Sequence, residues 1–198
     1  MTQTNGLRNP GFWCAALVLI VAAPAIGAND APGWHKAGDH PNDYDMGNDP
    51  SVSLHGKSSG YIKNNKPEPG GFGTYMQMFD AADFRGKRVQ FSAFVRTENV
   101  ENWASLWMRV DGEDKAIAFD NMQKRAIKGT QTWTRYAVVL DVDSAKAKRI
   151  AIGVLLAGKG TVWIDDVRFE TVGENVPVTD IMVKADPLRS GPRLSFDK

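Results

Sequence analysis

Catalysis needs acids, bases, nucleophiles or metal ligands brought to one point, and those residue types are sparse in this chain. Histidine occurs only at positions 35, 40 and 55, and the single cysteine is Cys14. A nucleophilic triad joins a Ser, Cys or Thr to a His and an acid, so histidines confined to the first third of the chain argue against one. Glycoside cleavage needs two carboxyl groups flanking the scissile bond, one of them with a raised pKa. The acid pairs Glu113-Asp114 and Asp165-Asp166 are sequence neighbours, and neighbours on a strand point to opposite faces. Neither pair is therefore expected to be catalytic. His35, Asp39, His40, Asp43 and Asp45 form a dense set of ligand types. Their spacing matches no zinc signature; the oxygen-rich segment suits calcium or an ordinary polar loop.

Recognition is the chemistry better represented, and strands would have to position it. No stretch after residue 28 keeps apolar residues at helical spacing for three turns, whereas several short runs alternate with period two. Strands are predicted over 74–79, 88–97, 104–111, 116–119, 132–141, 149–156 and 161–170. Turn signals at Arg85-Gly86-Lys87, Asp111-Gly112, Lys128-Gly129 and Gly158-Lys159-Gly160 separate them. Single helical turns fit 79–86 and 143–148, and Asn29 to Asp49 reads as a long loop wrapping a sheet edge. Such a pattern predicts an all-β fold, an antiparallel β-sandwich or a closed barrel.

Alternation then assigns faces. Leu106, Met108 and Val110 form one apolar row, matched by Val89, Phe91, Ala93 and Val95 in the preceding strand. If these two strands pair as neighbours, Phe94, Arg96, Trp107 and Arg109 share the face turned away from the core, and Gln77 joins them. A pyranose offers an apolar C–H face that stacks on an aromatic ring, ringed by hydroxyls that suit Arg, Gln, Asn and Asp. The same row also fits a loop-covered cation–π or ion-pair cluster. Beyond it, Asp120 and Asn121 suit an Asx-type turn, or Asp120 pairs with Arg125 to shape a rim, with Asn121 as a contact candidate. Trp133 and Trp163 are expected in the core.

Composition narrows the class. The 198 residues carry 24 Lys and Arg against 23 Asp and Glu, a formal charge of +1, which argues against gripping nucleic acid through its phosphates. Arg8, the apolar run from Phe12 to about Ala28, and the small residues Ala25 and Gly27 read as a secretory signal peptide over 1–27; the other reading is an uncleaved membrane anchor. Cleavage would remove Cys14 and Arg8, leaving a thiol-free, charge-balanced chain stabilised by burial alone.

Several segments together resemble a known family. They are Gly86-Lys87-Arg88-Val89-Gln90-Phe91-Ser92-Ala93, Leu106-Trp107-Met108-Arg109-Val110-Asp111-Gly112, Ala118-Phe119-Asp120-Asn121-Met122, Gly129-Thr130 with Trp133, and Val162-Trp163-Ile164-Asp165-Asp166-Val167. The chain is similar, over roughly 33–178, to bacterial galactose-binding-like jelly-roll domains, akin to carbohydrate-binding modules, some of whose relatives are associated with transcriptional regulators. The resemblance implies a jelly-roll sandwich that binds glycans on its concave sheet, with Trp107, Arg109, Arg96 and Gln77 as candidates. It also implies a structural calcium held partly by Asp165. Such domains usually open with an Asn-Leu-x-Phe-Glu strand, absent from the start here; Arg193-Leu194-Ser195-Phe196-Asp197 is similar and would fill that place.

The expectation is therefore a signal peptide over 1–27, a β-sandwich of jelly-roll type over 28–172, and an extended tail over 173–198 that adds a strand. Its function would be non-enzymatic binding of a carbohydrate or similar polyhydroxylated ligand by a periplasmic or secreted protein. No cofactor beyond the calcium, no nucleic acid and no membrane span after cleavage are expected. The other classes are a sensory or structural domain that packs on a protein partner and, less favoured, a polysaccharide-acting hydrolase or lyase.

Overall fold

The computed structural model describes residues 31–182. The expectations for residues 1–27, Cys14 and Arg193 to Asp197 lie outside the described residues. Among the described residues nine strands follow one another: β1 (His35–Gly38), β2 (Tyr44–Asp49), β3 (Ser59–Asn64), β4 (Phe72–Asp80), β5 (Arg88–Asp111), β6 (Ala116–Asp120), β7 (Ile127–Asp141), β8 (Arg149–Ala157) and β9 (Thr161–Val172). Each of the ladders joining them is antiparallel. The fold is an all-β sandwich, as the alternation predicts.

β5 organises it. Its first half pairs with β7 on one side and β9 on the other, while its second half lies between β8 and β6. One layer therefore runs β7-β5-β9-β3-β2 and the other β6-β5-β8-β4-β1. Val89, Phe91, Ala93 and Val95 point into the core from the first layer and Leu106, Met108 and Val110 from the second, all essentially inaccessible. Both inward rows are those that alternation assigns.

The predicted break between 97 and 104 is not a turn. β5 is one 24-residue strand that stays paired to β7 through shifts of register at 97, 100 and 104, with Asn99 at φ 53°. The two predicted strands are thus halves of one strand, not paired neighbours. The expected loop over Asn29 to Asp49 is also corrected, because it contains β1 and β2. Gly, Asn and Asp interrupt the apolar alternation there, and in β2 only Tyr44, Met46 and Gly47 are buried. The single turn at Ala82–Phe84 is present.

Beyond β9 the chain turns back along the open edges. The Arg88 guanidinium donates to the carbonyls of Glu174 and Val176 at 2.7 and 2.8 Å. Thr179 N–H then donates to Val139 of β7 at 2.8 Å, and Ile181 N–H to Phe119 of β6 at 2.9 Å. These bonds shield edge groups that would otherwise invite strand addition.

β8 reads Arg-Ile-Ala-Ile-Gly-Val-Leu-Leu-Ala, with Ile150 to Leu156 buried on both faces. Ile150, Ile152, Val154 and Leu156 enter the main core, while Ala151 and Leu155 join a second apolar cluster on the opposite face. Gly153 lies between them. A Cβ there would sit 2.8 Å from Trp107 Nε1, 2.8 Å from the Tyr75 carbonyl oxygen and 2.9 Å from Met76 Cβ. Gly153→Ala should therefore destabilise the fold by about 1–3 kcal/mol through overpacking, measured as a lower urea midpoint; an unchanged midpoint would show that the indole can move aside freely.

Candidate functional site

The second half of β5 sends Trp103, Ser105, Trp107, Arg109 and Asp111 to the face opposite the main core. Trp107 faces Gly153 across the ladder to β8, and with no side chain there its indole crosses the strand towards β4. Its Nε1–H donates to Thr74 Oγ1 at 2.7 Å, and the Thr74 hydroxyl donates onward to the Val154 carbonyl at 2.7 Å. This relay ties β5, β8 and β4 together and leaves Trp107 only 2% exposed. Met76, Ala151 and Leu155 are buried beside it, and Phe72, Met78, Trp103 and Phe119 are half-buried around them. Trp107 is thus the floor of this face and does not stand out from it as an exposed stacking platform.

Arg109 and Asp111, two residues apart, share the face and form a forked ion pair, with Nε 2.7 Å from Oδ1 and a terminal nitrogen 3.0 Å from Oδ2. Both side chains are about nine-tenths buried, so Arg109 is held by its own strand. Two other polar groups differ. Trp103 Nε1 and Ser105 Oγ are buried and, among the described residues, have no hydrogen-bond partner. Such a group forfeits about 1–3 kcal/mol of desolvation, and each instance in a native fold calls for an explanation. Trp103, just before the predicted strand, and Ser105, small and unremarkable in composition, escape a reading by residue type.

The other expected contact residues lie elsewhere. Arg96 is on the first half of β5 and so on the outer face of the other layer, where its guanidinium stacks 5.1 Å from the Trp163 ring centroid. Trp163 is 8% exposed and donates its Nε1–H to Asp49 Oδ2 at 2.9 Å. Phe94, on that same face, lies under the Arg135 guanidinium at 4.3 Å. The expected row Phe94, Arg96, Trp107 and Arg109 is therefore split between two layers, because β5 crosses from one to the other. Gln77 falls on the same side of β4 as buried Tyr75, opposite Met76 and Met78, and is half-buried near Gly33. Asn121 ends β6 in a turn: its Oδ1 accepts from Gln123 N–H at 3.2 Å, while Asp120 accepts from Met122 N–H at 2.7 Å and pairs with Arg125. Both readings of Asp120 hold together. Trp133 is half-buried and belongs to neither core cluster.

Asp165 serves the backbone. Its Oδ2 accepts from Leu54 and His55 N–H at 2.7 and 2.9 Å, and its Oδ1 accepts from Asp166 N–H at 2.6 Å. The ligand-rich set near the start is likewise dispersed into clamps: Asp39 accepts from Phe72 N–H, Asp43 binds Lys66 and Gly70 N–H, and Asp45 accepts from Asn65. Among the described residues no three His, Cys, Asp or Glu converge as metal ligands.

The carboxylates with displaced titration all move away from general-acid behaviour. Hydrogen bonds from Lys66 and Gly70 hold Asp43 below the usual range, and Arg168 does the same to Asp166. At Asp49 burial pushes upward but is outweighed by bonds from Ser51 and Trp163. Gly56-Lys57-Ser58-Ser59-Gly60 has the Gly-x-Ser-x-Gly spacing of a nucleophile elbow. An elbow turns from a strand into a helix; here the string leads into β3, and no histidine bonds Ser58 among the described residues. The spacing alone makes no nucleophile.

No protein-family model matches the chain. A Bacillus subtilis (strain 168) protein described as an uncharacterized HTH-type transcriptional regulator, YbfP, is 44% identical over 168 residues, which is 84% of this chain and 57% of that protein. The chain thus spans little more than half the length of that relative. Among solved structures, the enzymatically active domain of tailspike protein 4 from bacteriophage CBA120 superposes with a TM-score of 0.56 at 14% identity, over 75% of this chain and 21% of that one. A family 16 carbohydrate-binding module gives 0.51 at 12% identity, over 73% and 98%. The CBM22-1 xylan-binding domain of Paenibacillus barcinonensis Xyn10C gives 0.50 at 12% identity, over 73% and 88%. The architecture is that of β-sandwich carbohydrate-binding modules, and at these identities the likeness is one of fold.

The buried ion pair on this face is open to direct test. Asp111→Ala removes the forked partner of the buried Arg109 charge, and should cost about 3–5 kcal/mol in urea unfolding. Replacing both partners, Arg109→Met with Asp111→Leu, should recover most of that loss. A single substitution as mild as the double would mean that water reaches the guanidinium.

Proposed function

We propose that this chain is a non-catalytic recognition domain that binds a carbohydrate or similarly polyhydroxylated ligand on the face built by Trp103, Ser105 and Phe119 above the Trp107 floor. The observation that carries the reading is the pair of unpartnered groups, Trp103 Nε1 and Ser105 Oγ, set among half-buried aromatic rings. The half-buried rings of Phe72, Trp103 and Phe119 offer a surface for the C–H face of a sugar, and a hydroxyl reaching between them would supply the partner that the buried indole N–H and serine hydroxyl lack. The relay through Thr74 and the Arg109–Asp111 pair hold the floor rigid before a ligand arrives, which lowers the ordering cost of binding. The fold shared with a xylan-binding domain and a family 16 carbohydrate-binding module supports the reading by analogy. Catalysis is disfavoured because Asp111, the acid on this face, is committed to Arg109, and the carboxylates with displaced titration are all lowered. Export rests on the layout of residues 1–27.

The regulator relative favours a second use of the same face, in which ligand binding is the input to a regulatory protein. Both uses require the ligand.

On an array of xylo-, gluco-, manno- and galacto-oligosaccharides, the purified chain should retain at least one class. Trp103→Ala should weaken that binding at least tenfold, about 1.4 kcal/mol. Ser105→Ala removes a hydroxyl with no partner, so it should melt no lower than the parent while binding less tightly. Retention of no sugar, or a Ser105→Ala variant that melts lower yet binds unchanged, would overturn the proposal.

A further inference from the structure

A cleft lies at the lateral edge of the sandwich, away from the face just described. It is a cleft of about 200 Å³ between the segment entering β1, the start of β3 and the middle of β9, and its lining includes Trp34, Asn48, Ser58, Asp166 and Val167. It goes beyond the reading of the Trp103 face, with which it shares no residue.

Three features show how it is built. The first is a bulge in β9. Ser92 and Phe94 of β5 face Arg168 and Asp165, so three steps of β9 oppose two of β5. Asp166 sits in this bulge at φ 46°, a left-handed conformation that costs a non-glycine residue about 1 kcal/mol or more. Bulges re-aim side chains and concentrate near functional sites. Here the bulge leaves Val167 40% exposed on the cleft wall. Asp165 secures the opposite side, its carboxylate holding the backbone of Leu54 and His55 and so fixing the loop that leads to Ser58.

The second feature is an aromatic and aliphatic wall. The Trp34 and Tyr75 ring centroids lie 5.2 Å apart at 32°, and the Tyr75 hydroxyl accepts from Ala31 N–H at 2.9 Å, which ties the segment bearing Trp34 to β4. Gly60 keeps the floor low, since a Cβ there would stand 3.3 Å from Ile164 Cγ1 and 3.6 Å from the Tyr75 ring.

The third is the charge balance. The Asp166 carboxylate is already bound by Arg135 and Arg168, and Arg135 is further engaged with Ser92 Oγ at 3.1 Å and the Phe94 ring. Asp165 is filled by backbone N–H groups. The half-buried Asn48 amide and Ser58 hydroxyl, by contrast, make no side-chain hydrogen bond among the described residues. The cleft thus offers neutral donors and acceptors opposite an apolar wall, with no uncommitted charge for an ionic ligand.

From this geometry we infer that the cleft is a second ligand site, taking a single uncharged sugar ring or a cyclic polyol of the same size. An apolar C–H face would rest on Trp34 and Val167, with hydroxyls bonding Asn48 and Ser58. The volume is smaller than the roughly 300–1,000 Å³ of clefts that enclose drug-sized ligands and suits one ring within it.

The test is amide chemical-shift titration of the full ¹⁵N-labelled chain with D-glucose, D-galactose, D-mannose, D-xylose and myo-inositol in turn. At least one should give saturable shifts at residues 48, 58–60 and 166–167. The Asn48→Ala, Ser58→Ala double variant should bind it at least tenfold more weakly while keeping its spectrum elsewhere. Trp103→Ala should leave these shifts unchanged, which separates this site from the oligosaccharide face whichever way that face tests. No saturable shift with any of the five probes, shifts confined to 103–119, or equal affinity in the double variant would overturn the inference.

Discussion

The structure depends on one backbone constraint: a single strand must supply hydrogen bonds to two layers at once. β5 does so over 24 residues, and because a buried backbone N–H or C=O left unpaired is costly, it cannot break at the crossing without stranding several of them. The shifts of register between 95 and 104 are how it bends while remaining paired to β7. They set which side chains face the core on either side of the bend. The same constraint places Arg96 and Trp107 on opposite layers, so the crossing decides where any recognition surface is assembled.

The face over Trp107 differs from a second apolar core in what it leaves unpaired. Met76, Ala151, Leu155 and the Trp107 ring would be stable as simple packing, and Thr74 and Asp111 bring satisfied polar partners. Trp103 Nε1 and Ser105 Oγ are not satisfied, although alanine at 105 and phenylalanine at 103 would remove the cost. A buried donor without an acceptor, kept on a floor that is otherwise rigid, is an arrangement suited to a partner that arrives from outside. The rigidity comes from glycine: only the missing Cβ at Gly153 lets the indole span from β5 to β4.

Much of the fold was legible in the sequence because its causes are local. Val89, Phe91, Ala93 and Val95, and again Leu106, Met108 and Val110, alternate strictly and are buried as that pattern implies. β1, β2 and β3 were less legible: β1 and β2 are edge strands, which bury little and tolerate Gly, Asn and Asp, His35–Gly38 having no fully buried residue, and β3, though interior, buries only Ser59 and Ile62. The candidate site was only half legible. Alternation placed Trp107 and Arg109 on the right side of their strand, but exposure depends on what lies across from a residue. That Gly153 stands opposite Trp107, and that Asp111 reaches back to Arg109, are facts of register and rotamer. Asp120 with Arg125 could be read because the partners are close in sequence; Arg135 with Asp166, thirty-one residues apart, could not.

Several of the charges are used within the fold. Arg109 with Asp111, Arg125 with Asp120, Arg135 and Arg168 with Asp166, and Lys66 with Asp43 are bound to one another, and Asp39 and Asp165 are taken up by backbone N–H groups. Charges spent in this way fix loops and bends that strand pairing cannot reach. What remains without a side-chain partner among the described residues is neutral: an indole N–H and a hydroxyl on the β5 face, an amide and a hydroxyl at the β9 bulge. A phosphate or carboxylate ligand would have to displace an existing carboxylate from its arginine, and a cation would have to displace an arginine or a backbone N–H from its carboxylate. A polyhydroxylated ligand displaces nothing but water. The proposed preference for neutral, hydroxyl-rich partners therefore rests on the pairing of charges within the fold.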